Sequence, residues 1–231
     1  MDTDLADMVV AIDGTAGSGK SSASRGVAQR LGLRYLDTGA MYRAMTWWLL
    51  LSQVDVEDAD EVARNAESVV IGSGTSPDLP TISLDGVDVS TEIRSDEVTS
   101  SVSAVSAVPR VREILRAQQR SIIGAGGIVV EGRDIGTVVA PDAALKVYLS
   151  ADSSARAQRR AAELGLAQER DLGTVEAALR RRDAFDSGRA TSPLSAAADA
   201  VLIDSTVMGL GEVVDRIVDL AIARARGRFS V

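Results

Sequence analysis

The 231-residue sequence contains no cysteine and no histidine. Without cysteine there are no disulfides, no thiolate metal sites and no thiol nucleophile. Without histidine, the Ser-His-Asp triad and His-ligated zinc or iron are excluded. Lysine occurs only as Lys20 and Lys146, and asparagine only as Asn65. Aromatic residues make up 3% of the chain and the formal net charge is -8. Neither suits a general nucleic-acid binder, whose surface must be positive. No run approaches the roughly 18 consecutive apolar residues of a membrane span. Residues Met1 to Ala6 carry Asp2 and Asp4 and no positive charge, unlike a signal peptide. A cytoplasmic protein is expected, with no nucleic-acid or membrane partner. Its chemistry is left to carboxylates, arginines, two lysines, hydroxyls, backbone amides or a bound ion.

What is present is ordinary for one sizeable domain: 45% hydrophobic and 25% charged residues. Met8-Val9-Val10-Ala11-Ile12 is a short apolar run without alternation, the pattern of a strand buried on both faces. A glycine-rich turn follows, then a helix with Ala23, Val27 and Leu31 at spacing four, stopped by Gly32. Leu33 to Leu36 reads as a strand, and Met41, Ala44, Met45, Trp48 and Leu49 mark a helix face. From Val54 to about Val105 the pattern changes. Thr81 to Leu84 and Val87 to Val89 flank Asp85-Gly86, a two-residue hairpin signal, and the region reads as an inserted lobe. Pro109 opens a helix running through Ile122. Strands resume at Ile128 to Glu131, Leu145 to Leu149 and Ala200 to Ile203, separated by arginine-rich helices around 153–165 and 174–187, with a last helix carrying Val213, Val214, Ile217, Val218 and Ala221. Strands alternating with helices imply an α/β fold with a mostly parallel sheet covered by helices.

Gly14-Thr15-Ala16-Gly17-Ser18-Gly19-Lys20-Ser21, with Ser22 beside it, fits a P-loop placed between a buried-type strand and a helix. Its glycines let successive N–H groups curl around phosphate oxygens while the helix aims its positive end at the same anion. Lys20 can reach the β- and γ-phosphates of ATP, and the Ser21 hydroxyl can ligate Mg²⁺. The guanine signature of GTPases is absent, since Asn65 is followed by Ala66, and no apolar strand ends in Asp-Glu as in motor and transporter ATPases. A small-molecule kinase is favoured.

Transfer of a phosphoryl group between two anions needs positive charge, and arginine must supply most of it here. The candidates are Arg43, Arg110, Arg112, Arg133, Arg156, Arg159, Arg160, Arg182 and Arg189. Arg156, Arg159 and Arg160 share a helix face, as do Arg182, Asp186 and Arg189 if the helix passes Gly188. Singly, each such arginine is also what a solvated helix face carries. Asp37-Thr38-Gly39 and Arg133-Asp134 follow strand ends, where open α/β sheets bind ligands.

Together these segments resemble the bacterial cytidylate kinase family. The resemblance runs from about Val9 to Ala223 and rests on the P-loop, Leu36 to Arg43, Pro109 to Arg112, Glu131 to Val139, the Arg182 to Arg189 stretch and Asp85 to Arg94 in the lobe. It implies a P-loop nucleoside monophosphate kinase that moves the γ-phosphate of MgATP to CMP and also dCMP. The implied layout is core at 1–37, 106–150 and 190–231, a monophosphate-binding lobe at 38–105 and a helical lid at 151–189; a monomer is expected. By resemblance, Asp37, Thr38, Tyr42, Arg43 and Arg133 hold CMP and its phosphate, which Arg182 also contacts. Ser103, Arg112 and Asp186 read the cytosine edge, and Asp134 positions the sugar or base. Arg156, Arg159 and Arg189 close over the transferring phosphate, and Arg110 carries over as a further substrate contact. Thr38 and Phe185 depart from the serine and arginine of some relatives; Thr38 keeps the hydroxyl. An acid such as Asp186 can accept from cytosine N4 while Arg112 and Ser103 donate to N3 or O2. Rival readings are a P-loop kinase of UMP, AMP or shikimate, or an ATP-binding switch that transfers nothing.

Overall fold

The computed structural model describes residues 5–163, 169–189 and 192–227. Met1 to Asp4, part of the segment weighed as a signal peptide, and the 164–165 end of the expected arginine-rich helix lie outside the described residues. A five-stranded parallel sheet is ordered β2 (Arg34–Asp37), β6 (Ile128–Gly132), β1 (Val9–Gly14), β7 (Leu145–Ser150), β8 (Val201–Asp204). The central strand pairs Val10 with Val129 on one side and with Leu145 on the other.

The non-alternating pattern of β1 has the physical cause expected of it. Val10 and Ile12 point into a cluster with Val27 of α1 (Lys20–Leu31) and Val213 and Ile217 of α8 (Leu210–Ala225). Ala11 points the other way, toward Leu36 and toward Met45 of α2 (Thr38–Leu51). Gly32 ends α1 in the left-handed region at φ 66°. Pro109 occupies the first turn of α5 (Pro109–Ile123), where its missing N–H costs no helical bond.

Within the inserted segment, β3 (Ile71–Ser73), β4 (Ile82–Leu84) and β5 (Val87–Asp88) form a small antiparallel sheet. Asp85 and Gly86 sit at φ 47° and 84°, the two positive values that a tight primed hairpin turn requires. The sequence reading had not resolved β3, α3 (Ala59–Asn65) or α4 (Asp96–Ala107). The segment does not have a core of its own: Ile82, Ile93 and Val105 join Met45, Leu36 and Ala11 in one apolar cluster. Beyond β7, α6 (Ser153–Glu163) and α7 (Glu169–Ser187) pack on each other and on the phosphate-loop side of the sheet. No helix among the described residues is long and apolar enough to cross a membrane.

One close approach tests the packing of the helical layer. A Cβ placed on Gly26 of α1 would lie 2.8 Å from Val214 Cγ2 of α8. Gly26→Leu should therefore destabilise the fold by about 1–3 kcal/mol, read as a lower urea midpoint.

Candidate active site

The carboxyl ends of three adjacent strands, β2, β6 and β1, deliver Asp37, Arg133-Asp134 and the phosphate loop to one cleft of about 380 Å³. The loop bends through left-handed glycines at Gly17 (φ 75°) and Gly19 (φ 85°), which exposes amides at the start of α1. Lys20, Ser21 and Ser22 line the cleft beneath it.

Lys20 sits beside Glu131, and burial moves both toward neutrality. Lys20 is pushed down to about 7, first by burial and then by Arg133. Glu131 is pushed up to about 7, first by burial and then by Asp37. The Ser21 hydroxyl donates to Glu131 Oε2 at 2.8 Å, and the Tyr35 hydroxyl donates to Oε1. Glu131 was not singled out from sequence as a site residue. The available signal was its place at the end of an apolar strand, as a lone Glu rather than an Asp-Glu pair.

Opposite the loop stands a group of arginines. Arg43 is pushed down to about 10 by burial and by Arg160, and Arg182 to about 9 by burial and by Arg133 and Arg43. Arg182 Nε is buried without a hydrogen-bond partner. Arg43 is steadied by Ile93 O at 3.1 Å and Thr99 Oγ1 at 2.9 Å. Like charges pressed together in a half-buried cleft raise the free energy of the empty protein, and anions entering the cleft offset that cost.

Deeper in the cleft lie two acid–arginine groups. Arg112 Nη2 meets Asp134 Oδ2 at 2.5 Å, donates through Nη1 to Ser106 O at 3.1 Å, and lies 5.4 Å above the Tyr42 ring. Asp186 takes Arg133 Nε at 3.2 Å on one oxygen and pairs with Arg189 through the other. The helix ends at Ser187, as the expected 174–187 span has it, with the Gly188 N–H closing its last turn on Ala184 O at 3.0 Å, so Arg189 lies beyond it. Arg189 nonetheless turns back to Asp186.

Other candidates stand elsewhere. Arg110 lies on the surface, paired with Glu67 and with Glu113 at 2.6 Å, and does not line the cleft. The structure does not bring Arg110 together with the other expected substrate contacts: two carboxylates hold its guanidinium outside the cleft. Ser103 is beside the lining residues Val102 and Ser106 without lining the cleft itself, and its carbonyl accepts the Ser106 hydroxyl at 3.1 Å. Arg156 and Arg159 support the loop from behind. Arg156 Nη1 donates to Ala16 O at 2.9 Å. Arg159 Nη1 bonds Ser18 O at 3.3 Å and Ser205 Oγ at 3.0 Å. In this arrangement both cations are committed to carbonyls of the phosphate loop and of the β8–α8 connection.

A buried acid fixes the turn that carries Arg133 and Asp134. Asp13, 4% exposed at the end of β1, accepts the N–H groups of Ile135 and Gly136, each at 2.8 Å.

Sheet and loop define a P-loop nucleotide-binding protein, with arginines facing the loop across the cleft. The Cytidylate kinase family model matches residues 10–223. Curated proteins called cytidylate kinase are similar throughout. The one from Streptomyces griseus is 55% identical, covering 95% of this chain and 95% of its own. That from Rhodococcus opacus is 53% identical over 91% and 93%, and that from Mycobacterium avium 51% over 95% and 97%. The chain belongs to the cytidylate kinase family. That family implies a small-molecule nucleotide substrate and ATP as co-substrate.

Burial lifts Asp13 to about 6, against the lowering effect of its backbone bonds. A raised carboxyl pKa means the folded state holds the proton more tightly. The stability tied to that proton is present below pH 4 and is lost as pH rises through about 6. Asp13→Asn removes the titration. The stability of the parent relative to this variant should fall by about 1–3 kcal/mol between pH 4 and 7, measured by urea denaturation at each pH.

Proposed function

We propose that this chain transfers the γ-phosphate of ATP to CMP, giving ADP and CDP, and that dCMP is a second acceptor. The observation that carries the reading is the facing of a phosphate loop by Arg43, Arg133 and Arg182, whose charges are costly to hold together without anions. Two phosphate-bearing ligands, one on the loop and one on the arginines, satisfy that arrangement.

In this reading the amides of Gly17, Gly19 and Lys20 and the Lys20 ammonium cradle the triphosphate. Its charge restores the proton that burial makes Lys20 reluctant to keep. Ser21 and Glu131 would hold Mg²⁺: their oxygens, 2.8 Å apart beside the loop, suit a hard cation that takes its remaining ligands from water and phosphate. Bound there, the ion would neutralise charge on the β- and γ-phosphates.

Arg43, Arg133 and Arg182 orient the CMP phosphate, with Asp37, Thr38 and Tyr42 around it. An oxygen of that phosphate attacks the γ-phosphorus in line, the bond to the β–γ bridging oxygen breaks, and ADP leaves. The attacking oxygen is already ionised, so no general base is required. Asp186 accepts from cytosine N4 and Arg112 donates to N3 or O2, while Asp134 orients Arg112 and the nucleotide. Residues 38–105 act as the acceptor lobe and 151–189 as the lid that excludes water, on a core of 1–37, 106–150 and 190–231. We infer further a cytoplasmic monomer without nucleic-acid or membrane partners, in keeping with the net charge of -8.

Lys20→Ala should lower kcat by about 100-fold or more with an unchanged melting temperature. Near-parental turnover would remove the loop lysine from the mechanism. Asp186→Ala should cut the CMP-over-UMP preference by about tenfold, read as the ratio of kcat/KM values. ADP formation measured across CMP, dCMP, UMP, AMP and shikimate decides the acceptor, and turnover indifferent to every acceptor would sink the proposed function.

A further inference from the structure

One residue of the phosphate loop is gripped at both of its backbone polar groups by the two lid helices. The Ala16 N–H donates to Asp183 Oδ1 at 3.0 Å. The Ala16 carbonyl accepts Arg156 Nη1 at 2.9 Å. Arg156 closes the ring by pairing with the other oxygen of Asp183. Asp183 comes from α7 and Arg156 from α6, so the ring joins three separate parts of the chain. Two of its members are buried, Ala16 at 3% exposed and Arg156 at 7%, and the Asp183 side chain is mostly buried at 15% exposed.

The contact is close as well as polar. A Cβ on Gly17 would lie 3.2 Å from Arg156 O and 3.4 Å from Leu179 Cδ1, so both helices press on the loop immediately after Ala16. The loop still has its forward amides, with Gly17, Gly19 and Lys20 lining the cleft. Asp183 itself does not line the cleft, but its neighbours along α7 do: Arg182 precedes it and Asp186 follows one turn later. The Arg182 guanidinium feels both Arg133 and Arg43, and Asp186 bonds Arg133.

We propose that Asp183 is a positioning residue which, through the Ala16 peptide and Arg156, sets α7 against the phosphate loop and so holds Arg182 and Asp186 at the acceptor site. The inference rests on the function proposed above, in which those two residues contact the acceptor nucleotide. Removing the carboxylate strands a buried N–H and leaves Arg156 as a buried cation with one partner fewer. The helix then loses its fixed distance from the loop. Small misplacements of orienting groups carry large kinetic penalties.

The test compares Asp183→Ala and the milder Asp183→Asn in the full chain. Asparagine keeps an acceptor for Ala16 N–H but loses the charge that pairs with Arg156. With CMP as acceptor, Asp183→Ala should raise the CMP KM about fivefold or more and lower kcat about tenfold, with the ATP KM within about twofold of the parent. Asp183→Asn should fall between the two, and combining Asp183→Ala with Arg156→Ala should cost no more than the worse single change, as groups acting as a unit do. Loss of folded material would lower apparent kcat alone and leave both KM values unchanged, and that pattern overturns the proposal. So does a rise in ATP KM without one in CMP KM, which would place the effect on the loop rather than on α7. A parent enzyme inactive with CMP would instead refute the function itself, a distinct outcome.

Discussion

Repulsion among guanidinium groups is the constraint around which this cleft is arranged. Burial, with Arg160 and Arg133 nearby, lowers the affinity of Arg43 for its proton; burial, with Arg133 and Arg43 nearby, does the same to Arg182; and Lys20 feels Arg133 and Arg182 across the gap. A protein tolerates that only where surrounding structure enforces it. Here the enforcement comes from strands: β6 ends where Arg133 begins, and Asp13 at the end of β1 ties down the turn that follows. Carboxylates are rationed within the cleft. Asp134 is committed to Arg112 and Asp186 to Arg133 and Arg189, leaving Arg182 Nε without a hydrogen bond. The net charge of the whole chain, -8, conceals this local excess of cations.

The organisation separates positive groups by task. Those in front, such as Lys20 and Arg182, line the cleft. Those behind, Arg156 and Arg159, bond the Ala16 and Ser18 carbonyls and the Ser205 hydroxyl. A phosphate loop exposes its amides forward only if its carbonyls face away, and carbonyls facing away need donors of their own. Arginine, with five N–H groups in a planar fork, can serve two or three such acceptors at once. The same chemical feature that suits it to phosphate suits it to bracing the cradle.

Local features were legible in the sequence for local reasons. The P-loop, the Gly32 stop, the Pro109 start and the Asp85-Gly86 turn each depend on backbone geometry that few residues permit. The parallel sheet followed from buried-type strands alternating with helices. α4 escaped because Asp96 to Ala107 is rich in Ser, Thr and Val, poor helix formers whose buried Val98, Val102 and Val105 repeat only three times. β3 is three residues long and contains glycine. Within the site, spacing identified which arginines share a helix face but not which way that face turns. Arg156 and Arg159 therefore emerged behind the loop and Arg110 on the surface. Asp13 and Asp183 became visible only once distant segments met, since each acts across more than 100 residues.

The apolar cluster that runs from Ala11 through Met45 to Ile82 and Ile93 sets how costly that side of the cleft is to part. Parting those side chains would expose hydrocarbon to water at about 25 cal/mol per Å². The helices α6 and α7 meet the loop largely through groups that water can serve in exchange, at a net cost of about 0.5–1.5 kcal/mol per hydrogen bond. The less costly seam to part therefore runs along the arginine-rich helices, and the costlier one lies beneath the small sheet.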